Sequence, residues 1–386
     1  MARAAKKQEP DISPGGMVVG RKELLEALQL VAKGAGGKPS FATSNLPVYG
    51  VCVIGGDGPL KVDATNLVEF ASARVDGRVE ALRRIAVPIK NLVTVLRSTK
   101  GDSVKLGRTD SELSLEIAGR KFKVTEELQN LDSSWPAAPL PRAHYRLIEW
   151  DAAEFRSALA FVSRSVCKDE TREQLSKVAI IPGLGLVTTD GHRLSIAPVT
   201  TLDRMHGFPG RHVDFLLAAC KSANTVRLEL ADSSRADRGP AWRWQIGGAE
   251  LIQRGSDKDS DCSDYPPVDR IIPSSEPVAR AVVDATALRE AVSLAAKTSE
   301  NMDTQGVRLL FSGATLEVRT EQFTEVLELH APLSEDHELA VNPRYVVDAI
   351  PDSVTTMTID LSGDALGPIH IHADNGMSAV VMPMRV

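Results

Sequence analysis

The sequence predicts an α+β protein built as three copies of one small domain, each running helix, strands, helix, strands. Three observations carry this. An amphipathic segment recurs three times: residues 23–33 read ELLEALQLVAK, residues 154–164 EFRSALAFVSR and residues 287–297 ALREAVSLAAK. A second helix-like segment follows each at nearly constant distance, at 90–96 (KNLVTVL), 214–220 (DFLLAAC) and 344–350 (RYVVDAI). An alternating apolar–polar stretch comes next in each copy, at 103–106, 225–230 and 356–361. The copies lie more than a hundred residues apart, far beyond any solenoid period, so the repeating object is a whole domain.

The first segment of each repeat places apolar residues at helical spacing: Leu24, Ala27, Leu28, Val31; Phe155, Ala158, Leu159, Val162; Leu288, Ala291, Val292, Ala295. Each ends on a cation (Lys33, Arg164, Lys297), which complements the negative end of a helix dipole. After the alternating strand, each repeat offers a second strand or hairpin, at 112–124, 242–254 and 369–384. Turn signals separate the strands, as in Gly55-Gly56-Asp57-Gly58 and Ser362-Gly363-Asp364. Asp190-Gly191 marks a tight turn before a strand at 194–199. Two proline-dense segments, 133–141 (SSWPAAPLP) and 264–273 (DYPPVDRIIP), each carry an aromatic–proline pair and fall between repeats. They set domains at 17–143, 144–275 and 276–386, after a polar N-terminal tail of residues 1–16. Residues 231–239 and 255–264 read as exposed loops of the middle domain.

Composition narrows the class. Hydrophobic residues make up 43% of 386, enough for several small cores and too much for one. Cys52, Cys167, Cys220 and Cys262 form no CxxC pair and no secretory signal precedes them, which reads as free thiols in a reducing cytoplasm. No apolar run approaches a membrane span, so no membrane partner is expected. Catalysis is not expected either: Asp190-Gly191-His192-Arg193 has no second carboxylate or nucleophile near it in sequence. His370-Ile371-His372 puts two imidazoles on one strand face, a spacing that suits zinc, but no third ligand is evident. A solvated sheet face without metal is therefore the reading there. Residues 34–40 (GAGGKPS) fail as a phosphate loop, because Ala32 stands where the first glycine belongs and Pro39 follows the lysine. No cofactor is expected.

Net charge is −6, which taken in bulk argues against a nucleic-acid partner. Yet cations gather around the repeated helices: Arg21, Lys22, Lys33 and Lys38; Lys90, Arg97 and Lys100; Arg156, Arg164, Lys168 and Arg172; Arg211 and Lys221; Arg289 and Lys297. Acids concentrate in loops, as at Asp257, Asp259, Asp261 and Asp264. A set of solvated helix faces is the plain account. The sharper one is a single basic surface made by corresponding helices on an acidic body, which would hold a phosphate backbone without sequence preference and release it with salt.

Residues 188–194 (TTDGHRL), the C-terminal VVMPMRV at 380–386, Tyr265-Pro266 with Arg270-Ile271-Ile272-Pro273, and Asn342 with Tyr345 resemble the bacterial DNA polymerase III beta subunit, the sliding clamp. The resemblance runs from about residue 17 to the C-terminus. It implies the DNA clamp fold: three clamp domains, helices lining a channel, antiparallel sheets outside, and a ring-shaped head-to-tail homodimer. It implies a non-catalytic processivity factor that encircles double-stranded DNA topologically and tethers replicative and repair polymerases, a clamp loader and other clamp-motif proteins. Ring opening would then need an external ATPase, and an acidic exterior with a basic lumen would favour threading over outside adsorption.

Carried over by motif, the resemblance implies a partner-peptide cleft between the second and third domains. Its members would be Leu175, Thr189, Gly191, His192, Arg193 and Leu194, then Pro266, Arg270 and Ile271, then Asn342, Tyr345, Val380, Met382, Pro383, Met384 and Arg385. Leu, Ile, Val, Pro and methionine suit an adaptable apolar pocket for Leu or Phe anchors, with Arg, His and Asn to orient the peptide. The DNA-channel candidates are Arg21, Lys22, Lys33, Lys90, Arg97, Arg156, Arg164, Lys168, Arg211, Lys221, Arg289 and Lys297, with Lys38 standing for the loop cation. Phe122 and Val124 in the first domain, with Ala296 and Lys297 in the facing 296–305 region, are the dimer-interface candidates. A divergent clamp paralogue acting mainly as a partner-binding scaffold or resistance-type duplicate is the alternative.

Overall fold

The computed structural model describes residues 17–35, 48–56, 59–78, 82–109, 111–128, 131–139, 145–169, 171–231, 240–255, 262–298, 306–364 and 366–384. The N-terminal tail, Lys38 and Arg385 lie outside the described residues, as do most of the 231–239 loop and the later part of the 296–305 region. The chain forms two compact units: Met1–Leu147 with Asp214–Asp259, and Ile148–Val213 with Ser260–Val386.

Unit one opens with β1 (Met17–Gly20) and α1 (Arg21–Ala35), then β2 (Val51–Gly56), β3 (Leu60–Thr65), β4 (Glu69–Val75), β5 (Gly77–Arg78), β6 (Leu82–Pro88) and α2 (Ile89–Ser98). A meander of β7 (Ser103–Arg108), β8 (Glu112–Ile117) and β9 (Arg120–Thr125) follows, then the short α3 (Leu131–Ser134). After β10 (Tyr145–Asp151), unit two carries α4 (Ala152–Val162) and the antiparallel strands β11 (Lys177–Ile181), β12 (Gly185–Thr189), β13 (Arg193–Ala197) and β14 (His206–Pro209). The chain returns to unit one through α5 (Val213–Ala219) and the meander β15 (Thr225–Ala231), β16 (Pro240–Ile246), β17 (Ala249–Arg254). The rest belongs to unit two: β18 (Ala279–Asp284), α6 (Ala285–Thr298), β19 (Val307–Ser312), β20 (Thr315–Arg319), β21 (Thr324–Glu328), β22 (His337–Val341) and α7 (Pro343–Asp348). It closes on a third meander, β23 (Thr356–Leu361), β24 (Ile369–Ala373) and β25 (Ser378–Val381).

The triplicated helices form where their apolar spacing predicts. Every residue of the three stripes is buried, from Leu24 and Val31 on α1 through Phe155 and Val162 on α4 to Leu288 and Ala295 on α6. Two of the three, α4 and α6, start at side chains that satisfy orphan N–H groups. Asp151 accepts from the backbone N–H of Ala153 and Glu154, and Asp284 from that of Ala287. The second helix of each repeat is equally present as α2, α5 and α7, and each leads into its antiparallel meander.

Two sheets in each unit complete the layers. Unit one has the order β5-β1-β7-β8-β9 and a second sheet containing the run β15-β16-β17-β4-β3-β2-β6. Unit two has β14-β11-β12-β13-β25-β24-β23-β18 and the smaller β21-β20-β19-β22. Sheets therefore continue from one repeat into the next, through β17 against β4 and through β13 against β25.

One expectation needs correcting. Cys262, placed by sequence in an exposed loop, is fully buried. Its Sγ fills the space a side chain at Gly207 would need. All four cysteines are buried and unbridged. Among the described residues no helix is long and apolar enough to cross a membrane.

Candidate functional site

The site is built in unit two, where β12 turns into β13. Asp190-Gly191 makes the turn, and Gly191 takes φ +95°, the left-handed region that a Cβ disfavours. The Asp190 carboxylate accepts from the backbone N–H of His192 (3.0 Å) and Arg193 (3.2 Å). Thr189, fully inside, donates its hydroxyl to the Arg193 carbonyl (2.6 Å) and accepts from the Gly191 N–H (3.1 Å). Local side-chain bonds thus freeze the loop before any partner arrives.

β13 then pairs with β25 so that Leu194 lies opposite Val380 and Arg193 opposite Val381. The two sequence motifs, remote along the chain, become neighbouring strands. Past β25 the tail is pinned on both sides: Met382 N–H donates to the His192 carbonyl (3.1 Å) and Met384 N–H to the Ala340 carbonyl (2.8 Å).

Arg193 is the hub. Its side chain is nearly buried, and each guanidinium nitrogen has a partner: Nε donates to Asp190 (3.0 Å), Nη1 to Asp348 (2.6 Å) and Nη2 to the Arg164 carbonyl. Its plane lies over Tyr345, 4.5 Å from the ring centroid. Asn342 is likewise engaged, capping α7 by accepting from Arg344 N–H (3.0 Å). The polar groups left at the surface are His192, exposed and stacked 6.4 Å from the Tyr345 ring, and exposed Arg270.

Beneath them lies an apolar cluster of Ala179, Ile181, Val187, Leu194, Ile196, Cys262, Tyr265, Val268 and Val380. Half-buried Leu184, Met205, Ile271 and Ile272 pack against it, so the cluster reaches the surface rather than being sealed. The proline-rich segment supplies one wall. Tyr265 is buried, its hydroxyl donates to the Val187 carbonyl (3.4 Å), and burial pushes its pKa up, keeping it an O–H donor. Met382, the first residue past β25, is 40% exposed.

Of the expected cleft residues, Leu194, Val380 and Ile271 meet in that cluster, and Arg193, His192 and Tyr345 form one polar group beside it. Pro383 and Met384 are half-buried in the pinned tail, and Pro266 is half-buried in the wall segment. Leu175 is buried in a separate loop, which Arg172 ties to the turn by donating to the Asp190 carbonyl (3.2 Å). Sequence reasoning missed Asp348, Leu184 and Met205. Asp348 had a signal, three residues after Tyr345 on one helix face. Leu184 and Met205 sit outside the repeated helices and strands and had none.

The basic candidates divide. Arg21 donates to the carbonyls of Leu96 (2.7 Å) and Gly101 (2.6 Å). Arg164 and Arg289 both donate to the Asp352 carboxylate (2.8 and 2.9 Å) and to the Ile350 carbonyl. These three close helix ends. Lys22, Lys33, Lys90, Arg97, Arg156, Lys168, Arg211, Lys221 and Lys297 are exposed. On β9, at a sheet edge, Phe122 is half-buried and Val124 buried; Ala296 is half-buried on α6.

The fold is that of solved sliding clamps. The DNA polymerase III beta subunit from Thermotoga maritima superposes with a TM-score of 0.77 at 18% identity, covering 96% of this chain and 100% of that one. A sliding clamp (DNA polymerase III subunit beta) from Bartonella birtlesii bound to griselimycin gives 0.78 at 21%, covering 96% and 100%. The DNA polymerase III subunit beta from Borrelia burgdorferi, in complex with a natural product, gives 0.79 at 14%, covering 96% and 99%. No family model matches the chain, and no curated protein matches it in sequence.

Proposed function

We propose that the chain is a non-catalytic DNA sliding clamp of the bacterial replicative polymerase, working in the cytoplasm as a closed head-to-tail homodimer. Its three domains would divide near residues 143 and 276, with the triplicated helices facing duplex DNA. The observation that carries the reading is the β13–β25 seam: it sets the DGHRL turn beside the VVMPM tail, over an apolar cluster that opens at the surface of a clamp fold. That opening suits a short flexible motif of polymerase, loader or repair factor, inserting Leu or Phe beside Met382 and orienting on His192.

The exposed lysines and arginines of the repeated helices need only loose contact with phosphates, because a ring holds DNA by topology. The sheet edges support closure of the ring. β9 presents Arg120, Lys121 and Lys123, whereas the edge strand β21 presents Glu325 and Glu328, with Val326 58% exposed between them. Edges of opposite charge favour β9 of one protomer beside β21 of the other over either edge pairing with itself.

The test is to load the protein onto nicked circular DNA with a clamp loader, then linearise the DNA. Retention on circles with rapid loss from linear ends is expected, and equal retention on both would overturn the topological reading. Failure to load with intact binding of a polymerase peptide would instead mark a scaffold paralogue.

A further inference from the structure

The large sheet of unit two carries a cluster that the clamp reading does not use. β23 and β24 pair so that Asp360 lies directly opposite His370, with His372 one diagonal step away, opposite Thr358. Residues two apart on a strand share a face, so the register adds to the two imidazoles the carboxylate that the sequence did not reveal. His372 Nε2 lies 3.2 Å from Asp360 Oδ2, and the two imidazole centroids are 5.1 Å apart. One ligand atom from each of the three residues lies within 4.8 Å of the others. His370 adds an independent sign: its Nε2 is buried and has no hydrogen-bond partner. A buried imidazole nitrogen left unpaired is costly, and a bound cation is one way to satisfy it.

We propose that Asp360, His370 and His372 form a binding site for a divalent transition metal of the zinc class, with water completing the coordination. Two imidazoles and one carboxylate make a borderline donor set that suits zinc rather than calcium or magnesium. Tetrahedral zinc with bonds of about 2.0 Å sets its ligand atoms roughly 3.3 Å apart, so the widest pair here must close by about 1.5 Å. Small rotations of the two half-buried imidazoles supply that movement. Arg280 donates to Asp360 Oδ1 (2.7 Å) and to Oδ2 (3.2 Å). Its charge opposes a cation, but as an outer partner on Oδ1 it fixes the carboxylate with Oδ2 toward His372. The bound metal would staple β23 to β24, and any proton shared between His372 and Asp360 would leave to solvent.

The test uses the full chain, stripped with a chelator and titrated with zinc chloride against a chromophoric competitor. One zinc per chain is expected, with affinity reduced about tenfold or more in His372→Ala and in His370→Gln. Exposed His330 and half-buried His337 serve as controls, and their alanine variants should bind as the parent does. Zinc should also raise the melting temperature of the parent but not of His372→Ala, which reads the staple separately. Binding of the same strength in both cluster variants, or no zinc uptake by the folded parent, would overturn the proposal. Neither result bears on DNA loading, so the clamp reading stands or falls apart from it.

Discussion

Two antiparallel seams carry sheets from one repeat into the next, and they differ in what their buried side chains do. In unit one, β17 meets β4 through Ala249 opposite Ala73, Leu251 opposite Ala71 and Ile252 opposite Phe70. Helices press on this seam so closely that Gly34 of α1 has no room for a side chain. A Cβ there would lie 2.7 Å from Ala71 Cβ, 2.8 Å from Phe215 Cδ2 and 3.1 Å from Leu251 Cδ1. In unit two, β13 meets β25 with Arg193, Ser195 and Ser378 in the seam, all buried. Ser195 Oγ shares a hydrogen bond with Ser165 Oγ (2.6 Å), and Thr188 Oγ1 donates to the Val162 carbonyl. Burying such groups is costly unless each is paired, and here their pairing fixes a turn, a helix and a tail around an apolar opening. The first seam is mainly apolar packing, with the buried polar pair Glu69 and Gln253 at one end. The second uses comparable backbone pairing to preorganise a site.

The largest effect should come from filling the gap at the first seam. Gly34→Leu forces backbone and side-chain shifts in a close-packed layer and should cost about 3 kcal/mol in urea denaturation. Hydrogen exchange should accelerate on β4 and β17 while β13 and β25 stay protected. A cost below about 1 kcal/mol would show that the seam relaxes easily, against the packing account. At the second seam, Arg193→Met removes the hub and takes from Asp190 and Asp348 their shared guanidinium partner, for a loss of about 2–3 kcal/mol. Polymerase-peptide affinity should fall with it, because the turn and α7 lose their common tie. Unchanged affinity in a folded variant would mean that the apolar cluster alone recognises the peptide.

How much of this was legible in the sequence follows from the kind of interaction involved. The stripes Leu24–Ala27–Leu28–Val31 and their two counterparts were readable because helical burial is periodic and local. The meanders were readable for the same reason at period two. Seam pairing was not: nothing local says that β13 should take β25 as its neighbour. The DGHRL and VMPMR motifs could be picked out as members of one site only through the family resemblance. Arg193 shows the limit most plainly. Its presence in the motif was visible, but that its guanidinium faces inward to Asp190, Asp348 and the Arg164 carbonyl depends on three separate elements. Arg164 and Arg289 differ in the same way from the other helix cations, since Asp352 claims both.

Met382 sharpens the contrast by separating binding from stability. Its side chain is 40% exposed and outside the buried core while its backbone is held by His192, so Met382→Ala should change stability by less than about 0.5 kcal/mol. Peptide affinity, read by fluorescence anisotropy, should still drop about tenfold if this methionine covers an inserted anchor. An equal loss of stability and affinity would make Met382 part of the core instead.

The smallest effect separates how the two units close their helix ends. In unit one, Arg21 holds the end of α2 through carbonyls alone, which do not titrate. In unit two, Asp352 stands between Arg164 and Arg289, and the bonds it accepts at 2.8 and 2.9 Å are charge-assisted. Partial burial pulls its pKa up, but the hydrogen bonds and charges of the two arginines prevail and hold it below the usual carboxylate value. A carboxyl group depressed on folding contributes stability above its unfolded pKa of about 3.9 and loses it as pH falls through the folded value. The difference between parent and Asp352→Asn should therefore stay constant from neutral pH down to about 4 and shrink only below that. Its size should be under about 1 kcal/mol, because the Asp352 side chain is 69% exposed and solvent screens the pair. Urea melts across that range would read it, and a difference that instead vanished near neutral pH would assign the tie to a group other than this carboxylate.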